Sequence, residues 1–366
     1  MSAHQRAGDS NRLRSLLGIE HPVIQGPFGG GLSSVELAAV VSEAGGLGSY
    51  GANITPPDDI PELVRQLRAT TDRPFAVNLW VPLPGEKDAR LTDDEFAAHV
   101  QRLQPYFERL GVAPPERLPA TPDFHDQAEA LLAARPPVIS FVMGVPPRDV
   151  LDEANRLGIV TMGTATTVEE AQALDEAGLD AIVASGSDGG GHRGSFLRPV
   201  RESLVGTFSL VPQVADAVSV PVVAAGGIAD GRGAAAALTL AADGVQIGTA
   251  FLATDESGAS AVHKEVLHSP AARTTMLTRL FSGRHARAIP NRLMREMEPY
   301  EDTVPAYPAQ NALMLPIRRA SGAQGLPDYV NLWAGQAAPL VPAGTAARYL
   351  KTLLAEMTEI LGQRTV

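Results

Sequence analysis

Short apolar runs alternate with amphipathic helical patterns from residue 22 to about residue 251. The runs of strand length lie at residues 22–25, 47–50, 75–81, 138–143, 159–163, 181–184, 222–225 and 244–247. Helical patterns lie between them at residues 33–41, 58–69, 148–157, 168–177, 210–218 and 233–241. This order predicts βαβ units around a parallel sheet. Eight strands favour a closed (β/α)8 barrel, an α/β fold, over an open Rossmann-like sheet, because no GxGxxG follows the first strand.

Two segments depart from this alternation. Residues 82–122 form a polar, Pro-containing insertion whose helical stretch, residues 93–110, is expected to cover the barrel mouth. After Thr254, helical pieces and loops rich in Arg, Met and Pro replace the βα pattern. We therefore predict a barrel at residues 1–252, a smaller α-rich domain over the barrel mouth at 253–338, and a C-terminal helix within 339–366 that returns to the barrel.

The charge and composition exclude several partners and sites. The 366 residues include 30 Lys and Arg against 41 Asp and Glu, a net charge of −11. Nucleic acids and anionic membranes are disfavoured as partners, because both bind mainly through basic residues. The chain has no cysteine, which excludes disulfides, thiolate metal sites and thiol nucleophiles. Without an HExxH motif or a carboxylate cluster, no metal site is expected.

The N-terminal segment and the apolar stretches indicate the compartment. Residues 1–14 are polar and lack the apolar core of a secretory signal. The longest apolar stretches are broken by Gly, Asp or Pro and are shorter than a membrane span. We therefore expect a cytoplasmic protein.

Two glycine turns follow the last two predicted strands. Gly226 and Gly227 come after residues 222–225, while Gln246, Gly248 and Thr249 lie where residues 244–247 end. Glycines let backbone N–H groups approach an anion, and the loops after strands seven and eight commonly hold a phosphate in this fold. One such loop alone would be read as a chain turn. Two loops at adjacent strands predict a phosphate site.

A histidine in a glycine-rich loop follows the sixth predicted strand. His192 stands within Gly189-Gly190-Gly191-His192-Arg193-Gly194, where it has little to pack against. The simple alternative is a solvated loop histidine, but the three preceding glycines favour close backbone approach to a flat ligand. Imidazole titrates near neutrality, so His192 is predicted to be the chemically active side chain. Arg193 is left open between surface solvation and phosphate contact.

Asn78 is a polar amide inside the apolar run 75–81 and must find hydrogen-bond partners. Barrel backbone is one alternative, but its position late in the strand favours a cofactor. Tyr300 and Tyr307 are retained as candidates for lining the mouth. No role is predicted for the histidines without a comparable setting, which are His21, His99, His125, His263 and His268.

At these segments the chain resembles the nitronate monooxygenase family, formerly called 2-nitropropane dioxygenases. The resemblance covers nearly the whole barrel and rests on the order and spacing of Val23-Ile24-Gln25-Gly26-Pro27, Ser42-Glu43-Ala44-Gly45-Gly46-Leu47-Gly48, Ala76-Val77-Asn78, Gly189 to Gly194, Ala225-Gly226-Gly227-Ile228 and Gln246-Ile247-Gly248-Thr249. Two later segments look like the bacterial branch of the family, Tyr307-Pro308-Ala309-Gln310-Asn311 and Leu332-Trp333-Ala334-Gly335-Gln336.

The resemblance implies FMN at the C-terminal ends of the strands and His192 as the catalytic histidine. The FMN contacts that we predict are Gln25, Gly26, Asn78, Ser185, Gly190, Gly226, Gly227, Gln246, Gly248 and Thr249. The implied reaction is the oxidation of alkyl nitronates by O2, through the flavin, to a carbonyl compound and nitrite. A protonated His192 would hold the nitronate anion, whereas a neutral one would remove the α-proton of a nitroalkane. A homodimer is left open.

Two positions depart from the family pattern. Ser185 stands where the family often has a glutamine that touches the cofactor, and serine reaches less far. Phe28 stands where a methionine near the flavin ring is common, so the substrate pocket is expected to be reshaped.

Related functions remain as alternatives. FMN-dependent NAD(P)H reductases, of the quinone or the enoyl-acyl-carrier-protein type, share these loops but need a nicotinamide donor. A non-catalytic flavin-binding protein is a further alternative, against which His192 in its glycine setting argues. IMP dehydrogenase and GMP reductase carry comparable phosphate loops, but they require a cysteine nucleophile that this chain lacks.

Overall fold

The structure is a computed structural model that describes residues 10–86 and 91–363. Parts of the polar N-terminal segment (1–9), of the predicted insertion (87–90) and of the C-terminus (364–366) lie outside the described residues. The described strands are β1 Val23–Gln25, β2 Gly48–Gly51, β3 Phe75–Trp80, β4 Val138–Val142, β5 Val160–Ala165, β6 Ala181–Ser185, β7 Gly191–His192, β8 Val222–Ala225, β9 Gly244–Ile247, β10 Met276–Thr278 and β11 Ala286–Ala288.

Eight of these strands form one parallel sheet in the order β1-β9-β8-β6-β5-β4-β3-β2. The first and last strands of this order meet through a parallel bridge between Ile24 and Leu47. The Gln25 N–H donates to the Leu47 carbonyl at 2.9 Å, and the Leu47 N–H donates to the Val23 carbonyl at 2.9 Å. These bonds close the sheet on itself, and the predicted (β/α)8 barrel is confirmed.

Helices connect the strands and continue beyond the barrel. They are α1 Ser10–Leu17, α2 Val35–Glu43, α3 Ile60–Thr70, α4 Asp93–Leu110, α5 Phe124–Ala134, α6 Arg148–Arg156, α7 Val168–Ala177, α8 Thr207–Ala217, α9 Gly231–Thr239, α10 Thr249–Leu252, α11 Ala261–Leu267, α12 Arg292–Met297, α13 Ala309–Ala323 and α14 Ala346–Gly362. Short 3₁₀ helices lie at Pro57–Asp59, Val200–Glu202, Pro270–Arg273, Glu298–Thr303, Pro327–Tyr329 and Ala338–Leu340.

Local capping chemistry sets several of the helix starts. The Ser34 side chain accepts a hydrogen bond from the Leu37 N–H and begins α2. At α4, Thr92 and Glu95 form a reciprocal capping box, which satisfies N–H groups that the first turn leaves without intrahelical partners. Such short-range signals explain why helix positions were readable from the sequence.

Helix α5 and strand β7 are among the elements that the sequence did not predict. Helix α5 lies between the insertion and β4, at a place where no helix was predicted. The glycine–histidine segment was read as a loop, but Gly191 and His192 form β7, which pairs antiparallel with β11. Two residues are too short for a strand pattern, and their pairing partner lies almost a hundred residues later in the chain.

Three of the four apolar clusters of the described residues build the barrel and its cover. The largest packs the outer helices on the barrel, and a second fills the barrel interior with residues such as Ile24, Met162 and Val223. A third joins Phe107 of α4 to Leu313 of α13 and to other residues between 280 and 333. The insertion therefore shares a core with the C-terminal region, residues 253–338.

Helix α14 packs along α9 of the barrel. The Glu356 carboxylate accepts a hydrogen bond from the Gly231 N–H at 3.0 Å, and the Tyr349 hydroxyl donates to the Ala229 carbonyl at 3.0 Å. Within residues 10–86 and 91–363, no helix combines the length and the apolar character that crossing a bilayer requires.

Candidate active site

A cavity of about 700 Å³ opens at the C-terminal ends of the barrel strands. Its walls include residues that follow β1, β3, β6, β8 and β9, together with residues of α13 and Trp333 from the C-terminal region. This volume lies within the range of small-molecule and cofactor sites, roughly 300–1,000 Å³. Of the ten predicted cofactor contacts, nine line this cavity, which are Gly26, Asn78, Ser185, Gly190, Gly226, Gly227, Gln246, Gly248 and Thr249.

The turn after β8 is a close-packed glycine pair. Gly226 and Gly227 have φ angles of 101° and 69°, a left-handed conformation that favours glycine. A Cβ on Gly226 would lie 2.9 Å from the Gly189 N atom and 3.0 Å from the Gly186 carbonyl oxygen. The absence of side chains therefore lets the β6 loop lie directly on the β8 turn.

The β6 loop also touches the C-terminal region. A Cβ on Gly190 would lie 2.4 Å from the Gly335 N atom. The Gly335 N–H donates to the Thr249 hydroxyl oxygen at 2.9 Å, so the hydroxyl hydrogen of Thr249 stays available to an acceptor in the cavity. Three glycine-bearing segments thus converge and leave a floor of backbone and hydroxyl groups, which suits a phosphate group.

Arg193 is neither a solvated surface residue nor a residue of the cavity wall. Its guanidinium is buried and donates to the Gly186 carbonyl at 2.6 Å and to the Ser185 carbonyl at 2.7 Å. Burial lowers the pKa of Arg193 to about 10. Surface solvation was wrong, because the side chain turns back to hold the loop that precedes it, and phosphate contact stays a prediction.

Asn78 is buried at the cavity wall on β3. Its Nδ2 donates to the Ser140 carbonyl oxygen and to the Ser140 hydroxyl, both at 3.0 Å. These two bonds use both amide hydrogens, so the group that Asn78 can present to a ligand is its carbonyl oxygen.

Gln25 is the predicted contact that the structure places away from the cavity. It is fully buried inside the barrel, where its Oε1 accepts from the Ser49 N–H at 2.8 Å and its Nε2 donates to the Gly26 carbonyl. Both polar atoms of its amide are therefore used in hydrogen bonds within the barrel. The resemblance implied a cofactor contact for Gln25, and the side chain does not line the cavity.

His192 stands at the cavity wall between two tryptophan rings. The ring centroids lie 4.9 Å from Trp80 and 5.2 Å from Trp333, both in edge-to-face arrangements. The imidazole Nε2 lies 2.8 Å from the Ser282 hydroxyl oxygen. Pairing of β7 with β11 brings Ser282 and His192 together, since β11 follows the Ser282 segment directly.

The surroundings of His192 disfavour its charged form. Burial, followed by the guanidinium charges of Arg284 and Arg318, lowers the pKa of His192 to about 3. Arg284 itself pairs with Glu86 and lies over the rings of Trp80 and Tyr307, at 5.2 Å and 4.4 Å from their centroids. At neutral pH the imidazole is therefore neutral.

His263, for which no role was predicted, also borders the cavity. It is buried, and its Nε2 lies 3.0 Å from the Trp333 carbonyl oxygen. Burial lowers its pKa to about 4. His263 therefore holds the backbone of Trp333, whose ring packs against His192. No sign of this position was present in the sequence, because His263 lies in a helix and has no flanking glycines.

Of the aromatic residues considered for the cavity, some line it and one does not. Phe28 and Tyr307 line the cavity, and the buried Oδ1 of Asn53, another lining residue, has no hydrogen-bond partner within the described residues. Tyr300 is exposed under the Arg102 guanidinium and does not line the cavity. An unpartnered buried oxygen at a cavity wall is typical of a ligand contact.

The sequence matches the family model described as nitronate monooxygenase over residues 10–356. A probable nitronate monooxygenase of Staphylococcus saprophyticus is 37% identical over 358 residues, which cover 97% of this chain and 99% of the relative. The chain belongs to the nitronate monooxygenase family. It is therefore an oxidoreductase, and the family resemblance found in the sequence is confirmed.

Solved structures agree with membership of the nitronate monooxygenase family. A nitroalkane oxidase from Streptomyces ansochromogenes is 38% identical, with a TM-score of 0.86 over 95% of this chain and 98% of the other. FabK from Thermotoga maritima is 30% identical, with a TM-score of 0.75 over 96% of this chain and 97% of the other.

Proposed function

We propose that this chain is an FMN-dependent enzyme that oxidises alkyl nitronates with O2 to a carbonyl compound and nitrite. The observation that carries the proposal is a neutral His192, held between Trp80 and Trp333, on the same cavity as the two glycine turns. Family membership supports the reaction class.

The residues around the cavity fit FMN. The glycine turns after β8 and β9, with Gly190 and Thr249, would hold the phosphate, since added Cβ atoms would close the approach of the β6 loop. Asn78, through its carbonyl oxygen, and Gln246 would contact the ring system. When bound, FMN supplies a ring that accepts electrons from the nitronate and passes them to O2.

The charge state of His192 decides between the two mechanisms considered for it. A protonated imidazole is disfavoured, because the pKa of His192 is lowered to about 3. A base this weak also removes an α-proton poorly at neutral pH, since catalytic bases work best with a pKa near the operating pH. His192 is therefore assigned to orienting a substrate that arrives already deprotonated, by a neutral hydrogen bond. This favours nitronates over nitroalkanes.

The overall reaction balances without a further reductant. Two nitronate ions and one O2 give two carbonyl compounds and two nitrite ions, with one atom of the O2 in each carbonyl group. The negative charge of each nitronate leaves as nitrite. No nicotinamide donor is consumed, which separates this reaction from those of the NAD(P)H reductases.

An anaerobic absorbance titration of the FMN-loaded protein tests the proposal. We expect ethylnitronate or propyl-1-nitronate to bleach the flavin within seconds, and neutral nitroethane and NAD(P)H to leave it oxidised. Rapid bleaching by NAD(P)H but not by nitronates would replace the proposal with a reductase, which the similarity to FabK makes the second candidate. Failure to bind FMN would overturn both.

A further inference from the structure

Arg318 is a cation of the cavity wall that no carboxylate neutralises within the described part of the chain. It lies on α13 and lines the cavity half-buried. Its Nη2 donates to the Asn311 carbonyl at 3.1 Å and to the Asn311 Oδ1 at 2.8 Å. None of the ion pairs within residues 10–86 and 91–363 includes it. A guanidinium withdrawn from water without a counter-ion is costly unless a ligand supplies the anion.

The other arginines near the site are already committed. Arg284 pairs with Glu86, and Arg193 and Arg287 donate to carbonyls of the β6 loop near the Asp188 carboxylate. Arg319, next to Arg318 in α13, also lines the cavity but is exposed, so water screens its charge. Arg318 is thus the half-buried arginine of the cavity wall that has no ion pair within the described residues.

The charge of Arg318 reaches the place where His192 stands. Its guanidinium contributes to lowering the pKa of His192, together with Arg284. The charged or titratable groups acting on Arg318 itself are Arg319 and Tyr307, and burial lowers its pKa to about 10, so it stays charged at neutral pH. A neutral His192 cannot supply the positive charge that an anionic substrate needs, whereas Arg318 can.

We propose that the Arg318 guanidinium binds the anionic group of the substrate and makes the site select anions over neutral molecules of the same shape. The bonds to Asn311 use Nη2, and within the described residues Nε and Nη1 make no hydrogen bond. Nη1 can donate to an oxygen of a nitronate, whereas both bidentate edges of a guanidinium include the occupied Nη2. This assignment rests on the proposed function, which makes the substrate a nitronate.

Binding of an unreactive pair of ligands tests the assignment without turnover. Butanoate has the shape and charge of propyl-1-nitronate, and butanamide has the shape without the charge. Isothermal titration calorimetry of the FMN-loaded protein should show butanoate binding that weakens about 10- to 100-fold in Arg318→Met, the usual size of one lost charged hydrogen-bond pair. Butanamide affinity should change less than about threefold.

Two further variants separate charge from packing. Arg318→Lys keeps the charge and should recover part of the butanoate affinity, which a purely structural role would not predict. Arg295→Met, at an exposed arginine that does not line the cavity, should bind both ligands as the parent does.

Three results would overturn the assignment. If Arg318→Met binds butanoate as tightly as the parent, Arg318 does not contact the anion. If Arg318→Met no longer binds FMN, Arg318 belongs to the cofactor site. If the butanoate affinity of the parent falls as pH rises from 5 to 8, the cation that binds the anion is the imidazolium of His192 and not Arg318. Failure of nitronates to bleach the flavin would sink the proposed function but leave these equilibrium measurements readable.

Discussion

The Ser282 hydroxyl oxygen lies 2.8 Å from His192 Nε2 and 3.2 Å from the Arg284 carbonyl oxygen. The donor and acceptor roles in the shorter contact depend on the tautomer of the imidazole. With the ring hydrogen on Nδ1, Nε2 accepts from the hydroxyl, and Nδ1 makes no hydrogen bond within the described residues. In this tautomer, and if the substrate is a nitronate as proposed, Nδ1–H would be the group of His192 that donates to a nitronate oxygen.

Replacing Ser282 should weaken catalysis without weakening cofactor binding. In Ser282→Ala the imidazole loses the partner that sets its tautomer, so kcat/KM for ethylnitronate should fall about 10-fold, the size of one hydrogen bond. FMN affinity, followed by fluorescence quenching, should stay the same. Ser282→Thr keeps the hydroxyl and should retain most of the activity. Equal losses in the Ala and Thr variants would mean that packing, not the hydroxyl, matters.

The pH profile of nitronate turnover should lack an imidazole inflection. Because the pKa of His192 is lowered to about 3, its charge does not change between pH 5 and 8, and kcat/KM should be flat there. Stopped-flow mixing of freshly prepared nitronate avoids its reprotonation. His192→Asn should bind FMN but turn over about 10- to 100-fold more slowly. An inflection near pH 6.5 that disappears in His192→Asn would refute the neutral assignment.

A methyl group on the β8 turn should expel the cofactor. Gly226→Ala places a Cβ 2.9 Å from the Gly189 N atom at a φ of 101°, so the β6 loop must move. We expect FMN affinity, measured by ultrafiltration and absorbance, to fall about tenfold or more. Gly362→Ala, at the end of α14 with no atom within 4 Å of the new Cβ, is the matched control. FMN affinity equal in the two variants would argue against the phosphate site.

Acid should destabilise the fold through His263. Burial lowers its pKa in the folded chain to about 4, whereas an unfolded histidine titrates near 6.5. Below pH 6.5 the unfolded chain binds a proton that the folded chain refuses, so stability falls as pH drops towards 4, by up to about 1.4 kcal/mol per unit. Urea unfolding at pH 7, 6 and 5 should show a shallower loss in His263→Gln.

His125 provides the comparison for this measurement. It is exposed, so His125→Gln should lose stability on acidification as the parent does. If the His263 and His125 variants follow the same pH curve as the parent, the acid sensitivity arises elsewhere.

The barrel and its glycine turns were readable from the sequence because their causes are local. Strand runs, caps such as Ser34 and left-handed glycines such as Gly226 act within a few residues of themselves. The position of His192 at the cavity was likewise foreseeable from its three preceding glycines. The domain boundaries and the catalytic and cofactor roles of these residues stay predictions.

The local pattern determined the α/β barrel and its two glycine turns, and the motifs that carry the resemblance to the family are also local, since each depends on residue type and spacing along the chain. The tertiary structure decided the protonation states of the site residues and the hydrogen-bond partners of their side chains. Gln25 bonds inside the barrel, Arg193 turns inward, and burial, together with the charges of Arg284 and Arg318, lowers the pKa of His192. Burial and Coulomb interactions arise between residues some hundred positions apart, and no single stretch of sequence contains them.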